Sequence, residues 1–129
     1  MRKICFLFLI FSLAFSQNES LKVSEWKNYT SLLKINSFTL SDGNIWGATD
    51  GGVFKYSTSD NSIERFSNVD GLSNLENTAI YYDTKGNIWI GSIDGSVDVL
   101  NFQNKKWTSI KDISLSYSNL SKTINGFAQ

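Results

Sequence analysis

The sequence predicts an all-β fold, an incomplete β-propeller of four-stranded antiparallel blades, about two and a half repeats long, behind a signal peptide. Three observations predict it. Gly43-Asn44-Ile45-Trp46 recurs as Gly86-Asn87-Ile88-Trp89, 43 residues later. Asp50-Gly51-Gly52-Val53 maps onto Asp94-Gly95-Ser96-Val97 at a spacing of 44, which carries Ile63 onto Trp107, Phe66 onto Ile110, Val69 onto Ile113 and Ile80 onto Ile124. Between these anchors, short aromatic-rich segments alternate with glycine turns, and no proline interrupts them. A period in the low forties built this way marks a propeller blade, a unit that buries its apolar faces only against neighbours.

The elements follow in order. Arg2 and Lys3 precede an apolar run from Ile4 to Phe15 broken only by Ser12, and Ala14-Phe15-Ser16 places small residues at a cleavage site before Gln17. Residues 1–16 therefore read as a signal peptide, the apolar run being too short to span a bilayer comfortably. Cys5, the only cysteine, lies inside that run, so the mature chain carries no disulfide, thiolate ligand or thiol nucleophile. Export without disulfides suits a bacterial periplasmic or surface protein. Residues 17–129 then form the N-terminal part of the propeller.

Within that part, residues 26–30 (Trp26-Lys27-Asn28-Tyr29 at the core) read as an orphan outer strand, matching Ile63-Glu64-Arg65-Phe66 and Trp107-Thr108-Ser109-Ile110 in its apolar first and fourth positions. Standing before every inner strand, it is expected to complete the last blade of the ring and seal its edge. Residues 36–66 form one blade, with strands at Ser37–Ser41, Ile45–Thr49, Val53–Tyr56 and Ile63–Phe66. Residues 78–110 form the next, with strands at Thr78–Asp83, Ile88–Ser92, Val97–Phe102 and Lys106–Ile110. Glycines at the turns supply positive φ where the hairpins need it. Asn68 to Asn74 connects the blades, too polar and too rich in turn formers for a strand. Residues 111–129 start a third, truncated blade, with an inner strand beginning at Ile124-Asn125-Gly126-Phe127.

Asp70-Gly71-Leu72-Ser73-Asn74, then Ile80, Asp83, Gly86-Asn87-Ile88-Trp89-Ile90-Gly91-Ser92 and Gly95, resembles the two-component-regulator propeller repeat. The strand closes in Ser92 where that family has Thr. Trp26 and Tyr29, Ala48 to Tyr56, Gly71-Leu72-Ser73 and Gly95 to Leu100 are similar to the N-terminal propeller of PorZ-like proteins. The resemblance spans roughly residues 26 to 110. It implies a propeller and, for the PorZ-like group, an exported surface accessory of type IX secretion that recognises glycolipid. No catalytic residue comes with it, because the motif residues are structural in the family.

Composition narrows the chemistry. There is no histidine, which removes the commonest general base and metal ligand. Without Arg2 and Lys3, ten basic side chains face twelve acidic ones, a net charge of −2 with no basic footprint for nucleic acid. Asp42, Asp50, Asp83 and Asp94 sit at blade turns, where carboxylates either ligate calcium or bond their own backbone; no EF-hand ladder surrounds them, and the turn reading is favoured. Trp46 and Trp89 hold equivalent strand positions and read as packing between blades ahead of sugar-stacking platforms. Tyr81 and Tyr82 point to opposite faces, the exposed one being the better ligand contact.

The expectation is a non-catalytic, exported module with a binding or scaffolding role at the bacterial cell surface, in the periplasm or associated with the outer membrane. It takes no catalytic, metal or cofactor-binding residue and no cofactor. Its partners are the remaining blades of the same full-length protein and a surface glycan, a glycolipid or a secretion-system protein, and not nucleic acid. The alternative is the extracytoplasmic ligand-sensing propeller of a two-component signalling protein.

Overall fold

Alternating β-formers punctuated by turn residues produce eight strands in a computed structural model that describes residues 32, 34–115 and 121–128. The expected signal peptide at 1–16 and the expected orphan strand at 26–30 lie outside the described residues. Strands β1 (Ile35–Ser41), β2 (Asn44–Thr49), β3 (Gly52–Ser57) and β4 (Ile63–Phe66) form one antiparallel sheet in chain order. A second sheet repeats the plan with β5 (Asn77–Tyr82), β6 (Ile88–Ser92), β7 (Val97–Asn101) and β8 (Lys106–Ile110). The fold is all-β and propeller-like. The blades lie closest where β5 packs on β1 and β2, and they fan apart toward β4 and β8.

Cross-strand register explains the core. In the second blade Tyr82, Ile88, Leu100 and Trp107 stand directly opposite one another across four strands, and Ile80 and Ile90 form a parallel row. Facing them from the first blade are Trp46 and Ala48, which share one buried cluster with Ile80, Ile88, Ile90 and Leu100. Full burial of Ile88 and Ile90 stabilises the blade pair by about 1.5–3 kcal/mol each. The first blade's matching rows, Leu40-Ile45-Tyr56-Ile63 and Phe38-Gly47-Phe54-Arg65, lie on its other face. No described blade covers that face, and Phe38 and Leu40 are 66% and 65% exposed.

The connection between blades is latched by its own motif. Ser67 to Asp70 form a capped 3-10 turn, with the Asp70 carboxylate accepting the Ser67 amide and hydroxyl. Gly71 ends it at φ 117°, a left-handed conformation that favours glycine. Leu72 then drops into the inter-blade core. The Ser73 amide and hydroxyl donate to the buried Asp98 carboxylate at 2.8 and 2.7 Å, and the Ser109 hydroxyl donates to the same group at 2.6 Å. The Gly-Leu-Ser string is thus a structural clasp from the connection to β7 and β8.

Two expectations at the C-terminal end need correction. The segment from Ile124 to Phe127 forms no strand, since among the described residues no second strand lies beside it to complete a ladder. Instead it docks on the second blade. Ile124 also does not stand where Ile80 does. Each inner strand has a bulged residue reaching the next unit: Asn36 Nδ2 donates to the Asn77 carbonyl at 2.9 Å, and Thr78 Oγ1 donates to the Ile124 carbonyl at 2.6 Å. By that contact Ile124 corresponds to Asn77, 47 residues earlier. The second connection is longer than the first and holds one helical turn, α1 (Asp112–Leu115), which absorbs the extra length.

Candidate functional site

The residues singled out by sequence divide into those that build blades and those that bridge them. Asp83 serves its own turn: its carboxylate accepts the Lys85 and Asn87 amides at 2.9 and 2.8 Å, the Asn87 side chain at 2.9 Å and the Trp89 indole N–H at 2.8 Å. Partial burial pushes this carboxyl up, but the donors from Trp89, Asn87 and Lys85 outweigh it and hold it at about 2. Asp94 accepts the Ser96 amide and hydroxyl in the same fashion.

Asp42 and Asp50 do otherwise. The Asp42 carboxylate accepts the Tyr82 hydroxyl of the next blade at 2.8 Å, and that bond to a negative oxygen raises the phenol's pKa. Asp50 accepts Asn36 Nδ2 at 2.6 Å and pairs with Lys34 at 3.4 Å, while the turn beside it is held by the Thr49 hydroxyl. The bond from Asn36 is the main reason its carboxyl titrates low. Among the described residues no three His, Cys, Asp or Glu side chains gather as a metal site requires.

The tryptophans pack as their position implies. Trp46 is buried between the blades, stacked on Phe66 at 5.5 Å, with its indole N–H donating to Ser41 Oγ at 2.9 Å. Trp89 is half-buried and faces Phe127 at 6.4 Å. Neither tyrosine is exposed: Tyr82 packs on the inter-blade core and Tyr81 lies 6.4 Å from Phe127. Both make blade contacts, and Tyr82 also lines the groove beside Asp42.

One concave feature among the described residues is a cleft of about 200 Å³ at the rim, where the two blades diverge. Its first-blade wall is the cross-strand row Trp46-Lys55-Glu64 with Phe66. Leu100, Phe102, Lys105 and Trp107 form the opposite wall. Aromatic rings run along the floor from Trp46 through Phe66 to Trp107, the last pair edge to face at 5.6 Å. Lys55 Nζ sits 5.8 Å above the Trp46 ring and 3.5 Å from Glu64, so these two charges offset each other. A second, shallower groove of about 390 Å³ lies beside the Asp42–Tyr82 bond.

No local pattern in the sequence gathers the cleft residues. Trp107 and Phe66 were legible only as outer-strand apolar positions. The one local signal was Phe102, which breaks the alternation of its strand and is 63% exposed in the turn that follows.

Comparison with known proteins agrees with this architecture. Residues 71–94 match the family model described as two component regulator propeller. The chain is similar in fold to PorZ, described as an essential bacterial surface component of the type-IX secretion system of Porphyromonas gingivalis, with 15% identity and a TM-score of 0.67. It is also similar to the extracellular domain of BT4673 from B. thetaiotaomicron, described as a one component system, with 18% identity and a TM-score of 0.58. The matches cover 75% and 70% of this chain but 13% and 12% of those chains. The chain therefore spans about an eighth of the length of the solved structures it resembles. No curated protein matches it.

Proposed function

We propose that these blades belong to an exported, non-catalytic β-propeller that works as a binding or scaffolding surface at the bacterial cell envelope, as a PorZ-like secretion accessory would. The observation that carries the reading is the engagement of the polar side chains singled out by sequence. Asp42, Asp50, Asp83 and Asp94 all hold turns or bridge strands and blades, while the rim cleft stays open with an aromatic floor. The likeness to a surface component of a secretion system supports the location, as does the basic and apolar N-terminal stretch ending before Gln17. The partners on this reading are further blades of the same polypeptide, met by the open Phe38–Leu40 face, and an envelope glycan, glycolipid or secretion-system protein.

A sensing role is the second reading, favoured by the likeness to the extracellular domain of a one component system. The test of the first is localisation and capture. The native protein is expected in the envelope fraction with Gln17 as its first residue, retained by envelope polysaccharide purified from the same cells. Cytoplasmic protein that keeps Met1 would overturn export, and failure to be retained would overturn glycan binding.

A further inference from the structure

We propose that the rim cleft is a subsite for one acidic sugar, a pyranose ring bearing a carboxylate. The inference rests on the binding role proposed above and deepens it by naming a site and a ligand class.

Four observations carry it. First, the volume: about 200 Å³ is below the roughly 300–1,000 Å³ of sites for larger organic ligands, which leaves room for a single ring between aromatic walls. Second, the indole of Trp107. Trp46 donates its N–H to Ser41 and Trp89 donates to Asp83. Among the described residues the Trp107 N–H has no acceptor, and no buried side-chain polar atom lacks a partner, so this donor, on a ring that lines the cleft, is open to solvent.

Third, the charge. Glu64 is offset by Lys55, which leaves Lys105 as the unopposed charge on the cleft walls. The site is therefore net positive and selects an anion. Fourth, the backbone. Lys105 adopts φ 53°, and Asn61, its counterpart 44 residues earlier, adopts φ 58°. Asparagine enters this left-handed region readily because its short side chain bonds locally, whereas lysine has no such compensation. The first blade thus has the residue its turn prefers, and the second has a cation that its turn disfavours. Asn101 and Asn104 side chains, accepting the amides of Gln103, Asn104 and Lys106, hold that turn in place beneath Phe102 and Lys105. The ammonium is presented by a braced loop.

In the bound complex the Lys105 ammonium pairs with the sugar carboxylate and the Trp107 N–H donates to a ring hydroxyl or carboxylate oxygen. Phe102 covers the apolar face of the ring, and Glu64 accepts from a hydroxyl. Charge-assisted bonds of this type favour the acid over the neutral sugar by about ten-fold or more.

The experiment titrates the native protein with the methyl glycosides of galacturonic and glucuronic acid and with methyl glucoside, read by tryptophan fluorescence. Saturable quenching by the uronic acids is expected, with methyl glucoside about ten-fold weaker. Lys105→Asn is expected to abolish that preference and to raise the thermal midpoint, because it relieves the turn. Trp107→Phe is expected to remove the quenching. Equal affinity for acid and neutral sugar, or unchanged uronate binding in Lys105→Asn, would overturn the assignment. Retention on purified envelope polysaccharide separates the two levels. If both variants are retained as wild type is, the cleft assignment falls and the binding role stands. If wild type itself is not retained, the binding role falls.

Discussion

The Asp83 carboxylate accepts the Trp89 indole N–H at 2.8 Å, and in the preceding blade the Ser41 hydroxyl accepts the Trp46 indole N–H at 2.9 Å. The two acceptors end equivalent inner strands, and each fixes the ring of the tryptophan on the adjacent strand. The blades thus repeat a geometry with different chemistry, a neutral acceptor in one and a charged acceptor in the other.

That difference predicts an acid-sensitive second blade. Asp83 titrates at about 2 when folded and at about 4 when unfolded. Its stabilisation is complete above the unfolded value and is lost as pH falls from about 4 toward about 2. Asp50, Asp60 and Asp94 are also held low and contribute in the same direction. The share of Asp83 is the difference between wild type and Asp83→Asn. Thermal midpoints across this range should fall less steeply in the variant and converge with wild type at the acid end. Parallel curves would show that Asp83 is not the sensitive group.

The connection latch should be costly to cut. Leu72→Ala leaves a cavity in the inter-blade core and is expected to cost about 2–5 kcal/mol. Asp98→Ala orphans the Ser73 amide and two serine hydroxyls, at about 3 kcal/mol or more. Because Ser73 acts through Asp98, adding Ser73→Ala should cost less in the Asp98→Ala background than in wild type. Urea unfolding of the single and double variants measures this. Full additivity would mean that the bonds are not a working unit.

Docking of the segment 121–128 depends on the absence of a side chain at Gly91. A methyl group there would overlap the Ile124 side chain. Gly91→Ala should increase hydrogen exchange at the Ile124 amide, which donates to the Ser92 carbonyl at 3.2 Å. Because the Ile124 Cβ itself overlaps that methyl group, Ile124→Gly in the same chain should restore protection. Unchanged exchange in Gly91→Ala would place Ile124 elsewhere.

Phe38 and Leu40 occupy on the first blade the positions that Ile80 and Tyr82 occupy on the second, where they are covered. Exposed together, they should drive association of the chain when no further blade covers them. Phe38→Ser with Leu40→Ser should lower the apparent mass in concentration-dependent sedimentation. Self-association unchanged by both substitutions would assign it to another surface.

Strand order, turn positions and the blade repeat were legible in the sequence, because alternation and glycine turns are local requirements of a pleated hairpin. The outer strands at Ile63–Phe66 and Lys106–Ile110 and the second strand at Ile88–Ser92 were readable to the residue. The packing of Trp46 between the blades was readable too, from its place in the second strand, while Trp89 at the equivalent place is half-buried against Phe127. Only the tertiary structure decided that Asp83 and Asp94 brace their own turns while Asp42 reaches Tyr82 and Asp50 reaches Asn36. It also decided that Ile124 stands in the place of Asn77 and that Trp107, Phe102 and Lys105 meet Phe66 and Glu64 across a cleft. These contacts join residues up to 46 positions apart. They depend on the length of the connection and the angle at which one blade leaves the next, and no short-range pattern of residues encodes either.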